Sequence, residues 1–280
     1  MSAEQKQLMC VKDLAYSYGS VPVFSNLEFS IHAGEYICLV GANGSGKTTL
    51  LKHLVGLLKP AEGAVIRNIG MDEISYLPQT AHGTEDFPAS VQEVILSARQ
   101  NLAGSSLFYS KEDRQTLNEV AELLEITPIL RKKIGEISGG QRRRVEIACA
   151  IARRPKLFIL DEPFAGLDPE ISDALHSILE DINESGSTIV LSSHDIGFVR
   201  RHASRVLELD GSIVYDGSPR KWHGLREKTD SCESHEYHDH TSEGFAHKDC
   251  AYCEHLAHHL VQSDNNCVYC DTPSSEDVSE

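Results

Sequence analysis

The stretch "EYICLVGANGSGKTTLLKHLVGLL" (35–58) decides the fold of this chain. Its first part, "EYICLVG" (35–41), is a short apolar run that ends in glycine, which is typical of a buried parallel strand. Its last part (47–58) has apolar residues at helical spacing. Between them, "GANGSGKT" (41–48) fits the pattern G-x-x-x-x-G-K-[ST] in the strand-to-helix context that the pattern requires. We therefore predict a phosphate-binding loop at this position.

The residue types of the loop suit this task. Its glycines let backbone N–H groups turn inward around phosphates, and the dipole of the following helix adds to the attraction. Lys47 is predicted to reach the β- and γ-phosphates of ATP, and the Thr48 hydroxyl to ligate Mg²⁺. The predicted nucleotide-binding residues of this segment are Gly41, Asn43, Gly44, Ser45, Gly46, Lys47, Thr48 and Thr49.

Apolar runs at 73–78, 156–163 and 187–194 predict further buried strands, separated by helical patterns. Such alternation predicts an α/β fold with a parallel sheet and helices on both faces. Between about 88 and 155 the pattern changes to helices alone, which indicates a helical insertion. The turn at 210–211 predicts a closing hairpin.

The stretch "LFILDE" (157–162) predicts a buried strand that ends in two carboxylates. Asp161 is placed to bind magnesium, and Glu162 to act on an attacking water. Carboxylates at such a position can also be purely structural. The predicted phosphate-binding loop favours the catalytic interpretation.

The segment "ISGGQRRR" (137–144), followed by "LDEP" (160–163), resembles the ABC-type ATPases over about residues 8–220. The resemblance implies a P-loop NTPase with a RecA-like parallel sheet, an antiparallel β subdomain and an inserted helical subdomain. It implies an ABC ATPase domain over 1–225, whose activity is transport-coupled ATP hydrolysis.

The resemblance also assigns residues by motif. Tyr18 in "YSYG" corresponds to the aromatic residue that stacks on adenine. Gln79 in "YLPQ" corresponds to the glutamine that senses magnesium and the membrane partner. Asp168 in "AGLD" corresponds to the aspartate that crosses the dimer interface, and His194 in "SSHD" to the histidine that contacts the γ-phosphate. Lys47, Glu162 and His194 form the predicted catalytic set, and Thr48, Gln79 and Asp161 the predicted Mg²⁺ set.

The "SGGQ" segment leads into a predicted helix and forms a second anion-binding N-terminus, made by Ser138, Gly139, Gly140 and Gln141. One subunit cannot direct both this helix and its phosphate-binding loop at one nucleotide. The resemblance implies a head-to-tail homodimer that holds two ATP molecules between its subunits. The three arginines 142–144 are predicted to lie on a solvated face of the helix.

The last segment, 226–280, is acidic and rich in cysteine and histidine. From residue 228 onward there are 12 Asp or Glu against 2 Lys, so this segment holds −10 of the total charge of −16. An acidic chain repels nucleic acid, which we therefore do not expect as a partner. The chain has no signal-peptide pattern and no apolar run of the roughly 18–20 residues that span a bilayer. We expect a cytoplasmic protein, peripheral on the inner face of the cell membrane.

The cysteines of this tail follow the pattern C-x2-C-x13-C-x2-C, which is close to a four-thiolate zinc site. Thiolate and imidazole favour zinc over manganese, which prefers oxygen ligands. The candidate zinc ligands are Cys250, Cys253, Cys267, Cys270, His255, His258 and His259. A solvated extension, a purely structural zinc site and an independent zinc-buffering module remain open as alternatives.

These observations together predict the ATP-hydrolysing subunit of an importer for a divalent metal, with zinc preferred. ATP and Mg²⁺ are its expected cofactors, with Zn²⁺ in the tail. The expected partners are a separate integral membrane permease and, through it, a periplasmic or extracellular metal-binding protein. An energy-coupling-type importer for cobalt, nickel or a vitamin fits "SGGQRRRVEIACAIA" (138–152) and "EPFAGLDP" (162–169) equally well.

Overall fold

A computed structural model describes residues 6–79, 88–100 and 109–224. The cysteine- and histidine-rich tail, with all its candidate zinc ligands, lies outside these residues. The strands are β1 (Gln7–Tyr18), β2 (Val21–His32), β3 (Tyr36–Val40), β4 (Glu62–Arg67), β5 (Ile74–Leu77), β6 (Leu157–Asp161), β7 (Thr188–Ser192), β8 (Arg205–Leu209) and β9 (Ile213–Gly217). The helices are α1 (Lys47–Leu54), α2 (Val91–Gln100), α3 (Lys111–Leu123), α4 (Gly139–Ala152), α5 (Pro169–Glu184) and α6 (Ile196–His202).

The main sheet has six strands in the order β5-β6-β7-β3-β8-β9. The first five strands are parallel, as the alternation of strands and helices predicts. The sheet as a whole is mixed, because β9 pairs with β8 as the antiparallel hairpin predicted at 210–211. A smaller antiparallel sheet, in the order β2-β1-β4, completes the α/β fold.

The two faces of the main sheet are covered by two apolar clusters. Along β3, Ile37 and Leu39 join the cluster that includes the small sheet and α1. Cys38 and Val40 join the cluster that includes apolar residues of α2 to α6. All five residues of β3 are buried, because a parallel strand in the middle of such a sheet packs on both faces.

The parallel order of the strands determines where the predicted site residues lie. In such a sheet the carboxyl ends of the strands meet at one edge, where ligands bind in open α/β sheets. Gln79 follows β5, Glu162 follows β6, His194 follows β7, and the loop 41–48 follows β3. These four strands are neighbours in the sheet, so four distant sequence motifs arrive side by side.

In the described part of the chain, three helices (α2 to α4) lie between β5 and β6. Arg99 of α2 fastens them together, with its Nε donating to Asp113 Oδ1 at 2.5 Å and its Nη1 to the Ala152 carbonyl at 2.6 Å. Asp113 also accepts from the backbone N–H and the hydroxyl of Ser110, which caps α3. The Arg99 guanidinium and the Ser110 hydrogen bonds lower the pKa of Asp113 to about 2.

We expect Asp113→Asn to destabilise the fold by roughly 1.5–3 kcal/mol, because the largely buried Arg99 guanidinium loses its nearer charged partner and keeps only the more distant, exposed Glu112 among the described residues. The lowered pKa means that this stabilisation is present above the unfolded-state pKa of about 3.9. It is lost as the pH falls toward the folded-state value of about 2. Urea unfolding of the unaltered chain and of Asp113→Asn at pH 7, 5 and 3.5 measures the difference in their free energies of unfolding. We expect this difference to be smallest at pH 3.5.

The matched control is Glu122→Gln, which removes a carboxylate from an exposed position of the same helix. We expect this change to leave the free energy of unfolding nearly unaltered. A loss at Asp113 that stays constant across the pH series would contradict the proposed charge interaction.

Candidate nucleotide-binding site

Three glycines of the loop 41–48 have positive φ, and at two of them a Cβ would also clash with neighbouring atoms. Gly41 has φ +154°, and a Cβ placed there would lie 2.4 Å from the carbonyl oxygen of Leu209. Gly46 has φ +100°, and its Cβ would lie 2.7 Å from Val23 Cγ1. Gly46 is also the N-cap of α1, and no side chain in the described part of the chain caps that helix. The start of α1 therefore presents backbone N–H groups and the positive end of the helix dipole to the cleft.

Lys47 is buried and lies back against the loop from which it extends. Its ammonium donates to the Gly41 carbonyl at 2.8 Å and to the Ala42 carbonyl at 3.1 Å. Burial lowers the pKa of Lys47, while the carboxylates of Glu162 and Asp161 act in the opposite direction. A phosphate group at the loop would offer the ammonium a charged acceptor in place of these two carbonyls.

Asp161 ends β6 with a carboxylate that is only half satisfied. The residue is 1% exposed, and its Oδ1 accepts from the Ser192 hydroxyl at 2.7 Å. Its Oδ2 is buried and has no hydrogen-bond partner among the described residues. A buried carboxylate oxygen without a partner is costly unless a cation or water completes it. Thr48 and Gln79, which line the neighbouring cleft, add oxygen ligands of the kind that Mg²⁺ prefers, so the residues present fit this ion.

Glu162 adopts a left-handed backbone conformation, with φ +45°, at the point where β6 ends. Its N–H donates to the Ser192 hydroxyl at 2.8 Å. Its Oε2 accepts from the Gln79 side-chain amide at 2.9 Å, and its Oε1 lies 3.9 Å from His194 Nδ1. The structure thus brings Glu162, Gln79 and His194 together, as their positions after neighbouring strands predict.

These groups surround a cleft of about 770 Å³. Tyr18 lies at its border, 52% exposed, with its hydroxyl 3.5 Å from Thr49 Oγ1 and its ring edge-to-face with Tyr16. An exposed ring at a cleft can stack on a flat ligand such as adenine. The lining residues are Tyr18, Val23, Asn43, Gly44, Gly46, Lys47, Thr48, Thr49, Gln79, Glu162 and His194.

The "SGGQ" residues do not line this cleft in the described part of the chain. Ser138 caps α4 by accepting from the Gln141 N–H at 3.3 Å, and residues 138–140 are exposed. Asp168 caps α5 and accepts from Arg144 at 2.7 Å. The exposed start of α4 is thus available to a ligand outside its own cleft.

The prediction of a solvated face for the three arginines 142–144 is wrong for Arg143. This residue is 8% exposed, and its guanidinium donates to the carbonyls of Pro78 at 2.7 Å and Glu162 at 3.1 Å. The helical spacing of Arg143, Ile147 and Ala150, all buried, is the sequence signal that could have placed it inward.

Comparison with known proteins identifies the fold and the chemistry. The family model described as ABC transporter matches residues 24–165, just over half of the chain. The chain belongs to the ABC transporter ATP-binding family. A second model, described as an AAA domain and putative AbiEii toxin of a type IV TA system, matches residues 133–200 and covers a smaller part of the same fold. As a member of the ABC family, the chain is an ATPase.

The relatives include ATP-binding subunits of more than one transport system. The zinc uptake system ATP-binding protein ZurA of Listeria monocytogenes serovar 1/2a is 32% identical over 227 residues, covering 78% of this chain and 88% of that protein. The energy-coupling factor transporter ATP-binding protein EcfA of Methanothermobacter thermautotrophicus is 32% identical over 219 residues, covering 75% of this chain and 70% of that protein.

A solved structure, described as the dimeric post-hydrolysis state of an ATP-binding cassette bound to ADP and Pi, superimposes with a TM-score of 0.66 at 25% identity. The superposition covers 77% of this chain and all of that one.

Because Ser138 is exposed, we can test whether it acts on the nucleotide in the cleft of its own chain or on one bound by a second chain. We expect Ser138→Arg to abolish ATP hydrolysis while the affinity of a single chain for ATP stays nearly unchanged, because Ser138 lies outside its own cleft. Fluorescent-nucleotide titration at low protein concentration and a steady-state ATPase assay measure the two quantities.

Lys47→Ala is the control, since it should lose the nucleotide in its own cleft. A mixed dimer of Ser138→Arg and Lys47→Ala chains would keep one intact composite site and part of the activity. Equal loss of single-chain ATP affinity in both variants would show that Ser138 acts within its own chain.

Proposed function

We propose that this chain uses ATP hydrolysis to drive a separate membrane permease that imports a divalent metal, with zinc as the cargo. One observation supports hydrolysis: four groups lie together at one edge of the sheet, namely the loop 41–48, Asp161, Glu162 and His194. Among the described residues, no helix is long and apolar enough to cross a membrane. Because the chain belongs to the ABC transporter ATP-binding family, we assign the transport path to a separate membrane partner, with this chain bound peripherally at the inner face.

In this proposal the loop and α1 bind the phosphates of ATP through backbone N–H groups, and Lys47 neutralises the β- and γ-phosphates. Thr48, Asp161 and Gln79 would hold Mg²⁺, which supplies positive charge to the phosphate oxygens. Tyr18 supports the adenine ring. The unpaired Oδ2 of Asp161 and the exposed ring of Tyr18 support these assignments.

Glu162 orients the attacking water and accepts its proton. Gln79 holds one carboxylate oxygen at 2.9 Å, and the other oxygen faces His194. His194 is 72% exposed in its side chain, so it can turn to the γ-phosphate when a nucleotide fills the cleft. The left-handed backbone of Glu162 supports a functional assignment, because such conformations cluster at active sites.

The second half of each site comes from another copy of the chain. Ser138, Gly139, Gly140 and Gln141 at the start of α4 would contact the γ-phosphate bound by the partner, and Asp168 would cross the same interface. The exposure of residues 138–140 and the dimeric relative support this arrangement. Closure on ATP and separation after hydrolysis would give the permease its mechanical step.

The cargo assignment has separate support. ZurA, a relative at 32% identity, belongs to a zinc uptake system. In the tail outside the described residues, four of the five cysteines follow a zinc-like pattern and three of the seven histidines lie close to them in sequence, and we propose that the tail binds zinc. We also propose that the tail senses zinc, because its thiolate and imidazole groups favour this metal.

An energy-coupling-type importer is the second candidate, because EcfA has the same identity to this chain as ZurA. The two candidates share the hydrolytic mechanism and differ in the cargo and in the permease.

Glu162→Gln tests the hydrolytic mechanism. The amide keeps the shape of the side chain but cannot accept a proton, so we expect turnover to fall about 10²- to 10⁴-fold. ATP binding should survive, and an ATP-bound dimer should accumulate, visible by size-exclusion chromatography with light scattering. Turnover near that of the unaltered chain would remove Glu162 from this role.

The cargo is tested in cells that lack the chain and grow with a chelator. We expect complementation by the intact chain to restore zinc content, measured by mass spectrometry, and Glu162→Gln to fail. Manganese, cobalt and nickel contents are measured in parallel, because recovery of cobalt or nickel alone would favour the energy-coupling type. We also propose that zinc bound by the tail inhibits ATP hydrolysis when zinc is plentiful. A truncation after residue 228 should therefore still import zinc but lose this inhibition. Identical zinc responses of intact and truncated chains would overturn a sensing tail.

A further inference from the structure

Arg143 lies inside the protein, between α4 and the edge of the sheet where the site forms. One guanidinium nitrogen donates to the Pro78 carbonyl at 2.7 Å and contacts Glu146 at 3.2 Å. The other donates to the Glu162 carbonyl at 3.1 Å and contacts the Asp161 carbonyl at 3.4 Å. The planar fork of an arginine can reach two separate main-chain segments at once, which a lysine cannot do.

These acceptors adjoin both members of one pair of side chains. Pro78 precedes Gln79, and the Gln79 amide donates to the Glu162 carboxylate at 2.9 Å. Arg143 therefore binds the main chain just before Gln79 and the main chain of Glu162 itself. A shift of either carbonyl would alter the distance between the two side chains.

The backbone of Glu162 needs such support. Its φ of +45° is unfavourable for a residue with a Cβ and persists only when the surroundings hold it. The Ser192 hydroxyl holds the N–H side of the residue at 2.8 Å, and Arg143 holds the carbonyl side. The two contacts together fix the direction in which the carboxylate leaves the chain.

Stability alone is a poor explanation for this arginine. Burying a guanidinium is costly, and the Nε of Arg143 is itself buried without a hydrogen-bond partner among the described residues. An apolar side chain of similar volume could fill the same space at the face of α4 that Ile147 and Ala150 share. An apolar residue cannot supply the two hydrogen bonds to the carbonyls of Pro78 and Glu162.

We propose that Arg143 is a positioning residue for ATP hydrolysis, which places Glu162 and Gln79 relative to the helix that starts at Ser138. The inference rests on the proposed role of Glu162. Arg143 lies five positions after the cap of α4, about 7.5 Å along the helix axis. A movement of α4 that brings Ser138 onto a partner's nucleotide therefore moves the group that holds the Glu162 backbone.

The first test is Arg143→Lys in the full-length chain, alone and combined with Glu162→Gln. We expect kcat to fall roughly 10- to 100-fold, as for a small misplacement of a reacting group, with the KM for ATP nearly unchanged. In the Glu162→Gln background the same change should have almost no further effect, because Arg143 acts through Glu162. Arg154→Lys is the matched control, since the Arg154 side chain is 55% exposed and its ion pairs among the described residues are surface contacts with Glu112 and Glu119.

A second variant separates positioning from folding. Arg143→Gln combined with Glu146→Gln removes the buried ion pair without leaving either charge alone. We expect this protein to melt cooperatively, bind ATP and hydrolyse it slowly. Normal hydrolysis by the Arg143→Gln, Glu146→Gln variant would overturn the positioning role. The same conclusion would follow if Arg143→Lys lowered kcat by the same factor in the unaltered chain and in the Glu162→Gln variant. If Glu162→Gln alone keeps the turnover of the unaltered chain, the proposed role of Glu162 is rejected. That result differs from the outcomes that reject the role of Arg143, in which Glu162→Gln still lowers turnover.

Discussion

The hydroxyl of Ser192 holds the two carboxylate residues on which the site depends. It donates to Asp161 Oδ1 and accepts from the Glu162 N–H, at 2.7 and 2.8 Å. This is possible because β6 and β7 are parallel and in a register that pairs Asp161 with Ser192. A shift of this register by one residue would place the Asp161 carboxylate and the Ser192 hydroxyl on opposite faces of the sheet. The register of the sheet thus places the two carboxylate residues, and the segments that follow the strands add the other groups of the site.

The electrostatics of the site follow from this packing. The strands bring two carboxylates and the buried Lys47 ammonium together beside the cleft, and one oxygen of Asp161 has no hydrogen-bond partner among the described residues. A buried carboxylate oxygen without a partner raises the free energy of the folded protein, and the positive charge of a bound magnesium nucleotide would lower it. Nucleotide binding should therefore also stabilise the fold, since the ligand binds only to the folded chain.

Much of this could be predicted from sequence, for reasons that differ between elements. The strands around 35–41, 156–163 and 187–194 are buried on both faces, and their continuous apolar runs are easy to recognise. The strand β1 gives a weaker signal, because irregularities in its pairing with β2 break the alternation of buried and exposed residues. The helical spacing of Arg143 with Ile147 and Ala150 could have indicated that it is buried, but its contacts with the Pro78 and Glu162 carbonyls could not be predicted, because main-chain acceptors have no signature in the sequence.

The exposed start of α4 has a consequence for how the protein works at cellular concentration. If each hydrolytic site needs a second copy, the rate per chain depends on how often two copies meet and is governed by mass action. A membrane partner that holds two chains side by side turns this encounter into an intramolecular step with a high effective concentration. Such a scaffold would keep free chains from consuming ATP and would confine hydrolysis to assembled transporters.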